Sequence, residues 1–99
     1  MKTKIETDTY PNGQKWYEIP HVNGKRYGLA TWWYENGQKI AETTYVNGQQ
    51  HGLVTWWHPN GSLSWIQKWH QDQKVWEINF SSKGEISENA EVELFFYTT

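Results

Sequence analysis

Ninety-nine residues set a single small domain with a modest core, and a net charge of −2 excludes a general field drawing the chain to nucleic acid or acidic lipid. The absence of cysteine excludes disulfides and thiolate metal sites and fits a reducing compartment. No apolar leader opens the sequence and no apolar run approaches the ~18 residues of a membrane span, so a cytoplasmic location is expected.

In chain order, turn signals recur at Asn12-Gly13, Asn23-Gly24, Asn36-Gly37, Asn47-Gly48, Asn60-Gly61, Gln71-Asp72 and Lys83-Gly84. Asn-Gly is the strongest short hairpin signal, because a type I′ loop needs positive φ at both central residues. The structural glycines are therefore Gly13, Gly24, Gly37, Gly48 and Gly61. Between the turns the spacing predicts strands over 3–11, 14–22, 25–35, 38–46, 49–59, 62–70, 73–82 and 85–97. Pro11 and Pro59 sit just before turns, whereas Pro20 lies inside the second strand and predicts a bulge or a frayed edge there. No stretch joins a 3.6-residue period to capping signals, so no helix is expected. Eight Trp, six Tyr and three Phe favour strands, and Trp also serves recognition. Basic residues gather in Lys2 to Lys39 and acidic ones in Glu77 to Glu93, a pattern of solvated faces or of head-to-tail association.

The chain repeats itself every 24 residues. His21–Thr44 and Tyr45–Lys68 agree at ten of 24 positions without a gap. The register extends back to Tyr10–Lys15 and fades beyond Trp69. A partial repeat over 10–20, full repeats over 21–44 and 45–68, and a degenerate cap over 69–97 follow, all within one domain spanning 1–99. The shared pattern holds Asn23-Gly24, Gly28, Trp32-Trp33 and Asn36-Gly37, then Asn47-Gly48, Gly52, Trp56-Trp57 and Asn60-Gly61. It resembles MORN (membrane occupation and recognition nexus) repeats, and most of all the bacterial variant form found in YwqK-family antitoxins. The resemblance covers about residues 10–70 well and the rest weakly. It departs where Trp16-Tyr17 replaces the later Ile40-Ala41, and where Asp72 replaces a turn glycine. It implies an all-β antiparallel meander of β-hairpin repeats, curled as a single sheet.

Two-residue loops would fix the pairing and, by strand alternation, two faces. One carries Tyr10, Tyr17, Ile19, Ala30, Trp32, Tyr34, Ala41, Tyr45, Val54, Trp56, Leu63, Trp65 and Trp69. From it come the expected core residues Trp32, Tyr34, Tyr45, Trp56 and Trp65. The other carries Trp16, Glu18, Thr31, Trp33, Glu42, Thr44, Thr55, Trp57, Ile66 and Lys68. Trp16, Trp33 and Trp57 are its candidate exposed binding aromatics. Three-residue loops with a Gly bulge would shift this sorting. The segment Glu91–Tyr97, EVELFFY, would make a sticky open edge through which a homodimer could form.

Catalytic chemistry finds little support. His21, His51 and His58 each stand where the neighbouring repeat has Tyr, which reads as an amphipathic surface residue rather than a zinc ligand. Each Asn-Gly lies between strands, not before a helix, so none is a phosphate loop. No cofactor and no metal are expected, and the chain is read as a non-enzyme. The leading function is a protein–protein interaction module, binding a partner protein as an antitoxin or immunity-type neutralising factor through aromatic anchors. The alternative is a module stacking sugars or nucleobases on exposed Trp. Bases usually come with a basic groove, which the charge disfavours. Nucleic acid is not an expected partner, and the lack of a basic stripe argues against a membrane surface.

Overall fold

The computed structural model describes residues 2–83 and 85. Its hairpins use two kinds of tight turn in alternation. At Asn23-Gly24 and Asn47-Gly48 both residues have positive φ, 52° and 82°, then 50° and 84°. These are the expected two-residue type I′ loops, and Gln71-Asp72 adopts the same form at φ 49° and 65° without any glycine. At Asn12-Gly13, Asn36-Gly37 and Asn60-Gly61 only the glycine is positive, at 88°, 89° and 90°. There Gly13, Gly37 and Gly61 donate to the carbonyls of Tyr10, Tyr34 and His58, three residues back. Tyr10, Tyr34 and His58 in turn donate to Gln14, Gln38 and Ser62. This is the three-residue loop with a Gly bulge, not the type I′ loop expected at every Asn-Gly. The Asn side chain selects it: Oδ1 of Asn12, Asn36 and Asn60 accepts from the amide two residues on, at 2.8–2.9 Å.

The strands are β1 Thr3–Thr9, β2 Lys15–Val22, β3 Lys25–Arg26, β4 Gly28–Trp33, β5 Lys39–Val46, β6 Gln49–Trp57, β7 Leu63–His70 and β8 Gln73–Asn79. All pair antiparallel in one sheet ordered β1-β2-β4-β5-β6-β7-β8, with β3 also on β2. The expected strand over 85–97, its edge EVELFFY and most of the last repeat's second half lie outside the described residues. Among the described residues there is no helix, and the sheet is open, with β1 at one edge and no pairing of β1 to β8. The expected curl is therefore replaced by an open layer whose Cα atoms span 41 × 33 × 15 Å. Edge β1 is exposed throughout and carries Lys4, Glu6 and Asp8, charges that discourage edge-to-edge pairing.

Pro20 breaks one strand where its counterpart runs on. Its carbonyl accepts from Tyr27, but it has no N–H to return the bond, and the chain parts into β3 and β4 at Tyr27. One repeat later Thr44 holds the Pro20 place and β6 is unbroken. Gly28 and Gly52, at φ 100° and 97°, take up the local irregularity in both copies.

The repeats are joined at the three-residue loops by a ladder with their own period. Tyr10 OH donates to Trp33 O at 2.6 Å and Tyr34 OH to Trp57 O at 3.0 Å, while His58 Nε2 lies 3.4 Å from Phe80 O. Beside them Asn12, Asn36 and Asn60 Nδ2 donate to the carbonyls of Glu35, Pro59 and Ser82. Each loop thus holds the next, which fixes strand order locally. The core is thin: Ile19, Ala30 and Tyr45 are buried together, with Tyr17 and Trp32 packed against them. No large side chain among the described residues is fully buried, as expected of one layer.

Gly48→Val should lower the denaturant midpoint more than Gly13→Val. Both positions have positive φ, near 84° and 88°, which a β-branched residue tolerates poorly. Gly48 joins the central strands β5 and β6, whereas Gly13 joins edge strand β1, which can fray at lower cost. Midpoints in the reverse order would contradict this.

Candidate interaction surfaces

Each three-residue loop leaves one extra residue in the following strand. Asp8 pairs with Tyr17 but Thr9 with Lys15; Trp32 with Ala41 but Trp33 with Lys39; Trp56 with Trp65 but Trp57 with Leu63. Trp16, Ile40 and Ser64 are the unpaired residues, at one repeat position. The bulge alters face membership only beyond it, toward the loop. Interior pairing keeps most of the expected sorting, because the shift around Gly52 is by two: Ala41 faces Trp56 rather than Val54.

The corrections are local. Trp16 does not share a face with Trp33 and Trp57. As the bulged residue it turns toward Tyr17, edge to face at 5.2 Å, stacks on Tyr10 at 5.6 Å, and lines a depression with Ile19 and Trp32. Leu63 pairs with Trp57 and so leaves the face expected for it. Of the expected core aromatics, Tyr45 is buried, Trp32, Tyr34 and Trp65 are half-buried, and Trp56 is 37% exposed. Trp56 is not core: among the described residues no second layer covers it, and it rests on Trp65 in a stacked pair with centroids 5.0 Å apart.

On this first face a groove of about 520 Å³ runs across the central strands. Trp32, Trp56, Trp65 and Trp69 wall it, and Thr43, Gln50 and Gln67 add polar groups. Gln67 is held from behind. It accepts from Trp69 Nε1 at 2.8 Å and donates to Glu77, which also accepts from Asn79 and Lys74. These bonds, that from Gln67 first, hold the Glu77 carboxyl below its usual pKa against an opposing desolvation. A depressed carboxylate contributes stability fully above its unfolded pKa and loses it as pH falls through the folded value. Glu77→Gln should therefore lower the unfolding midpoint at neutral pH, and the gap to wild type should close on acidification. A gap constant with pH would show that the carboxylate charge is irrelevant.

The opposite face is a lysine–tryptophan ladder. Lys15 Nζ lies over the Trp33 ring at 5.5 Å and Lys39 Nζ over Trp57 at 5.8 Å. Each lysine also binds the carboxylate three residues on, Glu18 or Glu42, at 2.6 Å, a spacing the bulge makes possible. Trp33 and Trp57 are consequently half-buried. Further along the same face Ile5, Leu29 and Leu53 are 58%, 52% and 54% exposed. They share one position in the 24-residue repeat, a spacing legible in the sequence. Nothing in the sequence marks Gln50 and Gln67, because their place in the groove depends on cross-strand register.

No group of three or more potential metal ligands comes together among the described residues. No helix of the described residues is long and apolar enough to cross a membrane. The chain finds no match among curated proteins and none among solved structures. Its residues 26–47 and 50–64 do match a family model, that of the MORN repeat variant. These segments hold both Trp-Trp pairs, Gly28, Gly52 and the turns Asn36-Gly37 and Asn60-Gly61 described above; over them, less than half of its length, the chain is similar to the MORN repeat variant.

Proposed function

We propose that this protein is a non-catalytic interaction module that binds a partner protein across the ladder face. MORN repeats generally act as binding modules, which supports an interaction role. The observation that carries the choice of face is the row Ile5, Leu29 and Leu53, each more than half exposed. Leu29 and Leu53 lie on β4 and β6, two strand spacings or about 10 Å apart, on one flat surface. A row of exposed aliphatics beside charged residues is the composition of a contact patch with a polar rim. Trp33 and Trp57 border it under lysine stems that a partner can displace. The finer reading is a neutralising factor of the antitoxin or immunity type, acting by occlusion. It is supported by the resemblance of the repeats and by the breadth of the open sheet.

The test is capture from source-cell lysate with four baits: wild type, Leu29→Ser/Leu53→Ser, Trp33→Ala/Trp57→Ala, and Trp56→Ala on the other face. A protein held by wild type and Trp56→Ala but lost from the two ladder-face variants is the expected result. Equal capture by all four, with each bait folded by circular dichroism, would refute the assignment of the face.

A further inference from the structure

The groove on the other face has a chemistry of its own, and we infer that it is a binding site for a neutral saccharide. Trp56 and Trp65 stack at 24° between planes, so that Trp65 backs the Trp56 ring, which is 37% exposed and serves as the aromatic platform. Trp32 rises two strands away, with the buried Ala41 between it and Trp56 in the cross-strand column. The result is a slot with indole walls and a small-residue floor, within the size range of small-molecule sites.

The polar groups decide what kind of ring fits. Tyr45 and Gln50 are cross-strand partners lining the groove. The Tyr45 hydroxyl accepts from Arg26 Nη1 at 3.1 Å, which leaves its own proton to donate. Gln50 Oε1 is enclosed and has no hydrogen-bond partner among the described residues. A turn about the last torsion of this glutamine, which is soft, brings its amide to the groove, where it can pair with a ligand. A free hydroxyl proton and an unpaired amide lining one groove match a ligand hydroxyl, which both gives and takes a hydrogen bond.

Other occupants match less well. A purely aliphatic ligand would leave Gln50 unpaired. A polyproline segment offers carbonyls but no N–H, and so has no donor for that oxygen. A nucleotide brings phosphate, and the groove lining contains no cation; Arg26, nearby, lies over the Tyr45 ring at 5.3 Å and is bonded to its hydroxyl. A pyranose presents a flat C–H face to indole and hydroxyls at its rim, without charge, which is what the platform and the Tyr45–Gln50 pair require. This site is independent of the protein-binding face, since the two lie on opposite sides of one sheet.

The experiment is a titration of intrinsic tryptophan fluorescence with cellobiose, maltose, lactose and N,N′-diacetylchitobiose, and in parallel with adenosine and a decaproline peptide. At least one disaccharide is expected to give a saturable change. Trp56→Ala should weaken it by about tenfold or more, the loss of one stacking surface, and Gln50→Ala by several-fold. Leu29→Ser/Leu53→Ser should bind the sugar as wild type does. Trp56→Phe, which keeps a smaller ring, should give an intermediate value and serves if Trp56→Ala does not fold. No saturable change with any of the four sugars would overturn the inference. So would tighter binding of adenosine or decaproline, or sugar binding indifferent to Trp56 and Gln50.

Discussion

Replacing Tyr45 by Ala should remove about 3–5 kcal/mol of unfolding free energy, the range for truncating a large buried aromatic. Tyr45 is 8% exposed and sits at the centre of the buried group formed with Ile19 and Ala30. It also gives Arg26 a ring to lie over, at 5.3 Å, and a hydroxyl to bond. A small domain holds roughly 5–15 kcal/mol in all, so this one change should bring the protein near its unfolding threshold. The informative comparison is with the two tryptophans at one repeat position. Trp32 packs against the same core, while Trp56 is 37% exposed. Denaturant midpoints should therefore fall in the order Trp56→Ala, Trp32→Ala, Tyr45→Ala, from mildest to most severe. A Trp56 variant as damaged as the Tyr45 variant would mean that the groove face is covered in solution.

Leu29→Ser/Leu53→Ser should weaken partner binding by about a thousandfold with little change in stability. Anchors in the centre of an interface typically cost 2 kcal/mol or more each on truncation, roughly thirtyfold apiece. Both side chains are more than half exposed, so the folded state loses little, within about 0.5 kcal/mol per site. Trp33→Ala/Trp57→Ala should weaken binding less and stability more, because each ring already supports a lysine stem over it. Isothermal titration with the captured partner, beside urea denaturation of each variant, separates the two effects. Binding undiminished in the leucine variant would place the contact elsewhere.

The meander follows from local sequence alone. Asn-Gly and Gln71-Asp72 turns at regular spacing set the strands to within a few residues, since short-range turn chemistry needs no tertiary context. The 24-residue self-similarity determined that neighbouring hairpins repeat one design. It did not reveal that the five Asn-Gly pairs divide into two loop types, because the same dipeptide adopts either. That choice moved Trp16 to the face opposite Trp33 and Trp57, through a single bulged residue. Nor did it give burial. Trp32 and Trp56 are equivalent in the repeat, yet only Trp32 packs against the Ile19–Ala30–Tyr45 group. Local pattern assigns a side chain to a face of a sheet; how deeply it is covered, and which polar groups end beside it, depends on neighbours brought in from distant turns of the chain. The groove, with Tyr45 opposite Gln50 and Trp56 upon Trp65, exists only once those strands are paired.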